Sequence, residues 1–543
     1  MRPVRGAFGP RIRRAVQVGF LLLFLLLLLA VRPEPGWRPG AGAKLFFLFD
    51  PLLLFATFLA AHTVPIALLS ALLVVALTLV TGRTFCGWVC PFGTVHDIAG
   101  RFFQRLGGRR KIASGWSGLQ RLKYYLLAGF LVAALVGCHW VTVFDPLVLL
   151  YRSVTVALLP AFQWALEEGA TTIYRVDPGI GPLRLTAASE PVYRFFRDHV
   201  FVIPSQAFLG VAPILIIFLV LVGLNAYKRR FWCRYLCPLG ALLGLFSFRP
   251  FLRRRLEESS CTACDLCAYD CHGAAASAGA RNWRASECFI CLNCSASCPR
   301  GSLQFQWVPP WGREQVPVEG IGLSRRTVLA SSLGGLVGLS FLRATPFARR
   351  KVFESQLIRP PGARIERDFL ARCTGCGLCM KVCPTGGLQP CLTEAGLEGV
   401  FTPRLVPHIG YCDYDCVLCG HVCPTEAIRP LTVEEKHKVK IGLARFDTTR
   451  CLPYAYGREC IVCEEHCPVP DKAIYTVPVE IKNRDGTTKI IKQPRVDPDK
   501  CTGCGACENK CVYKDQPAIR VFSANESRNP DNQPVLPEGE GAY

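Results

Sequence analysis

The spacing of the cysteines constrains this chain more than any other feature. Cys261, Cys264, Cys267 and Cys271 follow one another at gaps of two, two and three residues, and Cys288, Cys291, Cys294 and Cys298-Pro299 repeat the run. Cys373, Cys376, Cys379 and Cys383-Pro384 match it again. Cys412, Cys416, Cys419 and Cys423-Pro424 carry one extra residue in the first gap, and Cys451, Cys460, Cys463 and Cys467-Pro468 have a first gap of eight. Cys501, Cys504, Cys507 and Cys511 return to the parent spacing without the proline. This is the bacterial ferredoxin run, in which a tight loop wraps three thiolates around an iron–sulfur cubane while the fourth cysteine points to a neighbouring cluster. On that rule Cys261, Cys264, Cys267 and Cys298 form one set, and Cys288, Cys291, Cys294 and Cys271 another. Among the four later groups, order alone does not say which fourth cysteine goes where. Structural zinc also uses four cysteines, but seldom with two successive two-residue gaps before a Cys-Pro. Only Cys138 and Cys391 of the thirty cysteines lie outside a motif, a distribution foreign to a disulfide scaffold.

The rest of the chain is apolar. Hydrophobic residues make up 50% and charged residues 19%, which points to membrane segments. Five spans are expected: Ala15 to Val31, about 63–81, about 124–143, Ala207 to Leu224, and Val328 to Leu342. The stretch 45–61, broken at Asp50-Pro51, reads as interfacial or re-entrant. The basic segment Arg101 to Lys123 and the basic N-terminus both belong on the cytoplasmic side, so the crossings between them must be even in number. The net charge of +22 is thereby assigned to cytoplasmic flanks, and no nucleic acid is required.

Two units repeat. The first reads span, Phe49-Asp50-Pro51-Leu52, span, Phe85-Cys86-Gly87-Trp88-Val89-Cys90-Pro91; the second reads span, Phe144-Asp145-Pro146-Leu147, span, Phe231-Trp232-Cys233-Arg234-Tyr235-Leu236-Cys237-Pro238. The second carries an external insertion, Tyr151 to Pro204. Both units start and end on the cytoplasmic side, a parallel repeat. Pseudo-symmetry would bring Cys86, Cys90, Cys233 and Cys237 together as one metal or redox-thiol site; the competing reading is that each pair packs against the bilayer edge or forms a reversible disulfide.

Ionisable residues at membrane depth are candidates for proton transfer from a quinol, here Asp50, Asp145, His62 and His139. An Asp-Pro pair is also an ordinary helix start, and capping is the favoured role of the two aspartates. Ser324-Arg325-Arg326-Thr327-Val328-Leu329 reads as a twin-arginine export signal, which would carry the later cysteine groups outward already folded. The last stretch, Ser523 to Tyr543, reads as a disordered tail.

The order of these motifs carries a resemblance. The first 305 residues resemble NapH, the membrane quinol-dehydrogenase subunit associated with periplasmic nitrate reductase, and related membrane polyferredoxins such as NosR. Residues from about 324 resemble NapG and MauM: twin arginines, Arg359-Pro360-Pro361-Gly362-Ala363, then Cys373-Thr374-Gly375-Cys376-Gly377 and widened middle spacings. The chain thus looks like a NapH–NapG fusion. The resemblance implies quinol oxidation at the membrane and electron delivery to a periplasmic reductase or cytochrome acceptor, without implying nitrate as the final substrate.

The expected fold is an α-helical membrane domain of about five spans joined to α+β bacterial ferredoxin-like 4Fe–4S domains. The expected divisions are a duplicated membrane domain at 1–228, a cytoplasmic two-cluster domain at 229–310, an export motif and fifth span at 311–345, an external four-cluster domain at 346–522 and a tail at 523–543. Six 4Fe–4S clusters, quinol (most naturally menaquinol) as electron donor, and a bacterial inner membrane location with the C-terminal domain periplasmic complete the expectation. A maturation or electron-supply factor for an exported metalloenzyme is the alternative.

Overall fold

A computed structural model describes residues 8–32, 41–106, 115–177, 179–180, 183–201, 207–276, 281–309, 320–343, 356–482, 487–529 and 532. The backbone divides into two units. One comprises Met1–Ala30, Ala41–Ser153 and Ala212–Phe341; the other comprises Val31–Gly40, Val154–Val211 and Leu342–Tyr543.

The first unit is mostly helical. Its N-terminal helix, Phe8–Leu29, takes in the expected first span. The helices Gly42–Leu48 and Pro51–Ala61 meet at 80°, because Pro51 has no N–H to continue the preceding turn and Asp50 caps a new one. The Asp50 Oδ1 accepts from the amides of Leu52 at 2.9 Å and Leu53 at 3.4 Å. Asp145 repeats this at the start of Pro146–Arg152, accepting from Leu147 at 2.8 Å and Val148 at 3.0 Å. Capping, the favoured role from sequence, is observed at both.

Five full-length spans are not observed. By length and composition two helices among the described residues can cross a bilayer, Gly9–Leu29 and Pro146–Val176, or three if the bent pair counts as one. Ile66–Thr81 and Val211–Ala226, where the second and fourth spans are expected, are shorter apolar helices. The third expected span, 124–143, is a helix only to Leu135; Gly137 takes a left-handed turn and a 3-10 turn, Trp140–Phe144, follows. The fifth, Val328 to Leu342, lies within the helix Arg325–Arg343, whose ends are charged and whose middle carries Ser and Gly. The expected insertion from Tyr151 begins inside a helix: a π-turn over Ser153–Leu158 joins Pro146–Arg152 to Leu159–Val176 as one long helical run.

After the helix Pro238–Phe246, the first unit folds into a small domain on one antiparallel strand pair, Leu252–Leu256 with Leu303–Trp307, in register from Leu252 opposite Trp307 to Leu256 opposite Leu303. Its core packs Leu256, Trp283, Ala285, Ile290 and Leu303 with Cys267 and Cys288. The second unit is built likewise from short helices and two-stranded sheets, with Leu388–Pro390 on Pro403–Leu405, Leu443–Phe446 on Ile519–Phe522, and the long hairpin Ile474–Lys482 with Thr488–Val496. Strand content is therefore low throughout.

The expected tail from Ser523 is partly corrected. Asn525 accepts no freedom: its amide donates to the Asn532 carbonyl at 2.7 Å, Ser527 donates to the Lys440 carbonyl at 2.9 Å, and Arg528 pairs with Glu366 at 2.7 Å. The segment 533–543 lies outside the described residues.

Candidate functional site: cysteine quartets and the buried polar groups around them

The ferredoxin loops work by backbone conformation. The residues just before and just after the second cysteine of a run are left-handed: Ala263 and Asp265, Ile290 and Leu292, Gly375 and Gly377, Gly503 and Gly505. Such a pair of reversals curls the chain so that three thiols face one centre, and glycine meets the requirement without strain. The first unit meets it with non-glycine residues.

The fourth cysteines cross over as the ferredoxin rule expects. Cys261, Cys264, Cys267 and Cys298 line one cavity. Cys271 faces Cys288, Cys291 and Cys294 closely enough for its charge to act on each thiol, and its Sγ accepts from the Ala275 amide at 3.2 Å. The structure also settles what sequence order leaves open. Cys383 lines a cavity with Cys412, Cys416 and Cys419, while Cys423 turns to Cys373, Cys376 and Cys379. Cys511 joins Cys451, Cys460 and Cys463, while Cys467 turns to Cys501, Cys504 and Cys507. The quartets of the second unit thus form two exchanged pairs. Between the pairs, the Cys412 amide donates to the Cys504 carbonyl at 2.8 Å. Among the described residues no three His, Cys, Asp or Glu side chains converge tightly enough to hold a single metal ion.

The two Cys-x3-Cys-Pro motifs also come together. Phe92, two residues beyond Cys90, meets Trp232, next to Cys233, with ring centroids 6.1 Å apart. Arg230 donates to the Cys86 carbonyl at 3.2 Å. All four cysteines are buried free thiols. Burial pushes the Cys233 thiol up to about 11 and holds Cys90 and Cys237 well above the ordinary thiol value.

Two carboxylates organise the buried charge here. Asp97 accepts from Arg230 Nε at 2.7 Å, Arg230 NH2 at 2.7 Å and Arg13 NH1 at 3.1 Å, and faces His272 Nδ1 at 3.2 Å. Burial alone would raise the Asp97 carboxyl, but Arg230 and His272 outweigh it and hold it well below the usual range. Glu287 accepts from Lys123, from Tyr124 at 3.0 Å and from Arg83 at 3.4 Å. Beside Asp97 opens a cleft of about 360 Å³ lined by Arg11, Arg13, Arg14, Arg101 and Arg229.

Asp50 and Asp145 also meet. Each is fully buried, each leaves Oδ2 without a donor, and the two carboxyls face each other across the repeat. Asp145 is also within electrostatic reach of Cys90. His139 is buried between Thr57 and Thr142, at 3.2 Å from each hydroxyl. His62 ends the helix Pro51–Ala61 in a left-handed turn and is exposed, away from these groups. Arg325 and Arg326 open their helix and are exposed.

Sequence reading passes over Arg83 and Arg230. The signal was present: each stands three residues before the first cysteine of its motif.

Exchanged cysteine quartets on minimal sheets define a polyferredoxin, an iron–sulfur electron-transfer protein. Models described as 4Fe–4S binding domains match residues 63–110 and 211–257, and others match 369–389 and 494–511. The methylamine utilization ferredoxin-type protein MauM of Methylorubrum extorquens is 36% identical over 226 residues, covering 39% of this chain and 97% of that protein. The ferredoxin-type protein NapG of Escherichia coli is 37% identical over 169 residues, 30% of this chain and 70% of its own length. YccM of Escherichia coli, an electron transport protein by name, is 29% identical over 270 residues, 49% of this chain and 61% of its length. No solved structure matches. The chain belongs to the family of ferredoxin-type proteins that includes MauM and NapG.

Proposed function

We propose that this protein is a membrane-bound quinol dehydrogenase component, taking electrons from a quinol and passing them through six ferredoxin-type clusters to a periplasmic acceptor. The clusters supply one-electron transfer when bound. The observation that carries the reading is the facing pair Asp50 and Asp145, fully buried where the two halves of the repeat meet. Oxidising a quinol releases protons as well as electrons, and two apposed carboxyls are a natural receiver because they hold one proton more readily than two charges. His139 lies deep in the same unit and is held by two hydroxyls, suiting it to position groups there.

The membrane reading is supported by Gly9–Leu29, Pro146–Val176 and the bent pair at Asp50. It is also supported by the grouping of Val31, residues 183–201 and the C-terminal region in one unit, since the positive-inside rule assigns all three to the outer side. Within that unit Lys381 donates to the Val31 carbonyl at 2.7 Å, and Gln389 binds Ala207 and Leu209 at 3.1 and 2.8 Å. Export by Arg325 and Arg326 fits this arrangement.

A second reading, electron supply for maturing an exported metalloenzyme, has its own observation. The arginine-lined cleft at His272, next to Cys271, suits an acidic soluble donor. A deletion strain separates the two: a metal-complete but inactive partner enzyme supports quinol-driven supply, and a metal-free partner supports maturation.

A further inference from the structure

We propose that Cys86, Cys90, Cys233 and Cys237 together ligate a seventh iron–sulfur cluster, shared between the two halves of the repeat. Each segment matched by the 4Fe–4S model contains only two cysteines. Neither half can hold a cluster alone, and the fold brings both pairs to one buried place. The inference is independent of whether quinol is the donor.

The surroundings are built twice. Cys90-Pro91-Phe92-Gly93 and Cys237-Pro238-Leu239-Gly240 each begin a helix, Pro91–Leu106 and Pro238–Phe246. The Gly240 amide donates to Cys237 Sγ at 3.2 Å, and the Gly93 amide, at the matching position, acts on the Cys90 thiol in the same sense. Amide donors on sulfur stabilise thiolate ligands. The two arginines cross over between halves: Arg83 approaches Gly240, and Arg230 binds the Cys86 carbonyl and approaches Gly93.

Charge says what belongs there. Arg83 and Lys123 share one carboxylate, Glu287, while Arg13 and Arg230 share one, Asp97. All four cations are buried, so each side keeps one positive charge uncompensated. Arg83 also keeps Nε and NH2 without partners, and its NH2 group lies at Gly240, beside Cys237. Uncompensated buried charge is costly. A cluster bound by four thiolates is an anion and would supply the missing charge. Two disulfides would not, and among the described residues no three His, Cys, Asp or Glu side chains are placed to hold a single metal ion.

The site adjoins the Cys288 quartet. Arg83 and Arg230 each lie 4.9 Å from the ring of Phe289, which sits between Cys288 and Cys291 in the chain. Trp88 donates to the Ile290 carbonyl at 2.9 Å. A cluster there would have a direct neighbour to exchange electrons with.

The test uses the full-length chain purified anaerobically in detergent, with iron and acid-labile sulfide counted per chain. Cys90→Ala combined with Cys237→Ala should lose one cluster, about one seventh of the iron, while the ferredoxin-type EPR signals persist. Undiminished iron in that variant overturns the proposal. Should the double variant fail to accumulate, Cys86→Ser serves, because a serine oxygen can replace one thiolate. A changed EPR signal from one cluster supports the site, and a spectrum identical to wild type overturns it.

Discussion

The amide of Cys412 donates to the carbonyl of Cys504 at 2.8 Å, which joins two cysteine quartets that are far apart in sequence. With the exchanged fourth cysteines, this contact puts the quartets of the second unit in an order that differs from the chain's: Cys373, Cys412, Cys501, then Cys451. With a cluster in each quartet, an electron entering at the Cys373 end would meet the last-encoded quartet third. Cys416→Ala should therefore remove the second quartet's cluster and isolate the first from the other two. The expected sign is loss of spin–spin broadening from the Cys373 cluster in the EPR of the fully reduced protein; unchanged broadening would contradict the order.

The exchange of fourth ligands makes a sharper prediction. Cys383→Ala and Cys416→Ala strike the same cluster, so combining them should cost no more iron than either alone. Cys383→Ala and Cys376→Ala strike two clusters, and their losses should add. Iron per chain in the two double variants decides it, and equal losses in both would refute the pairing.

These pairings mark the limit of what the sequence shows. The runs themselves, and the exchange between Cys271 and Cys298, are legible because spacing dictates loop geometry. In the second unit the widened gaps before Cys416 and Cys460 hide which loops are neighbours, since that depends on how the strands pair. The membrane helices were misjudged for a related reason. Hydropathy sees the apolar runs at 63–81 and 124–143 but not that the first becomes helical only after Pro65, nor the turn at Gly137 that cuts the second short. It also misses the π-turn that carries a helix past Tyr151. The Asp-Pro caps were legible from local chemistry. The meeting of Asp50 with Asp145 was not, because only the packing of the repeat creates it.

That meeting bears on the quinol reading. Asn caps a helix about as well as Asp, so Asp50→Asn combined with Asp145→Asn should keep the fold and the iron content. It should lower quinol-driven cluster reduction by about 10²–10⁴-fold, the usual worth of a positioned proton acceptor. Stopped-flow reduction by menaquinol analogue measures this, with dithionite reduction as the control that should not change.

Asp97 ties the N-terminal helix to the second cysteine motif through Arg13 and Arg230. Asp97→Asn leaves both arginines buried without their counter-charge. A loss of about 3–5 kcal/mol is expected, read as a lower midpoint in anaerobic thermal unfolding followed by cluster absorbance.

Gly87 lets two backbones touch, since a Cβ there would lie 2.1 Å from the Phe289 carbonyl oxygen. Gly87→Ala should push the Cys86 loop from the Cys288 loop and cost about 1–3 kcal/mol. The same unfolding measurement checks it.

The central claim is that quinol electrons reach these clusters, and anaerobic EPR with iron quantified tests it most directly. The purified protein is examined before and after addition of a reduced menaquinone analogue. Iron–sulfur signals that appear on quinol addition, in a protein whose iron accounts for at least the six ferredoxin-type quartets, are the predicted result. Clusters that are fully loaded yet respond only to a strong low-potential reductant would contradict it and favour the electron-supply reading.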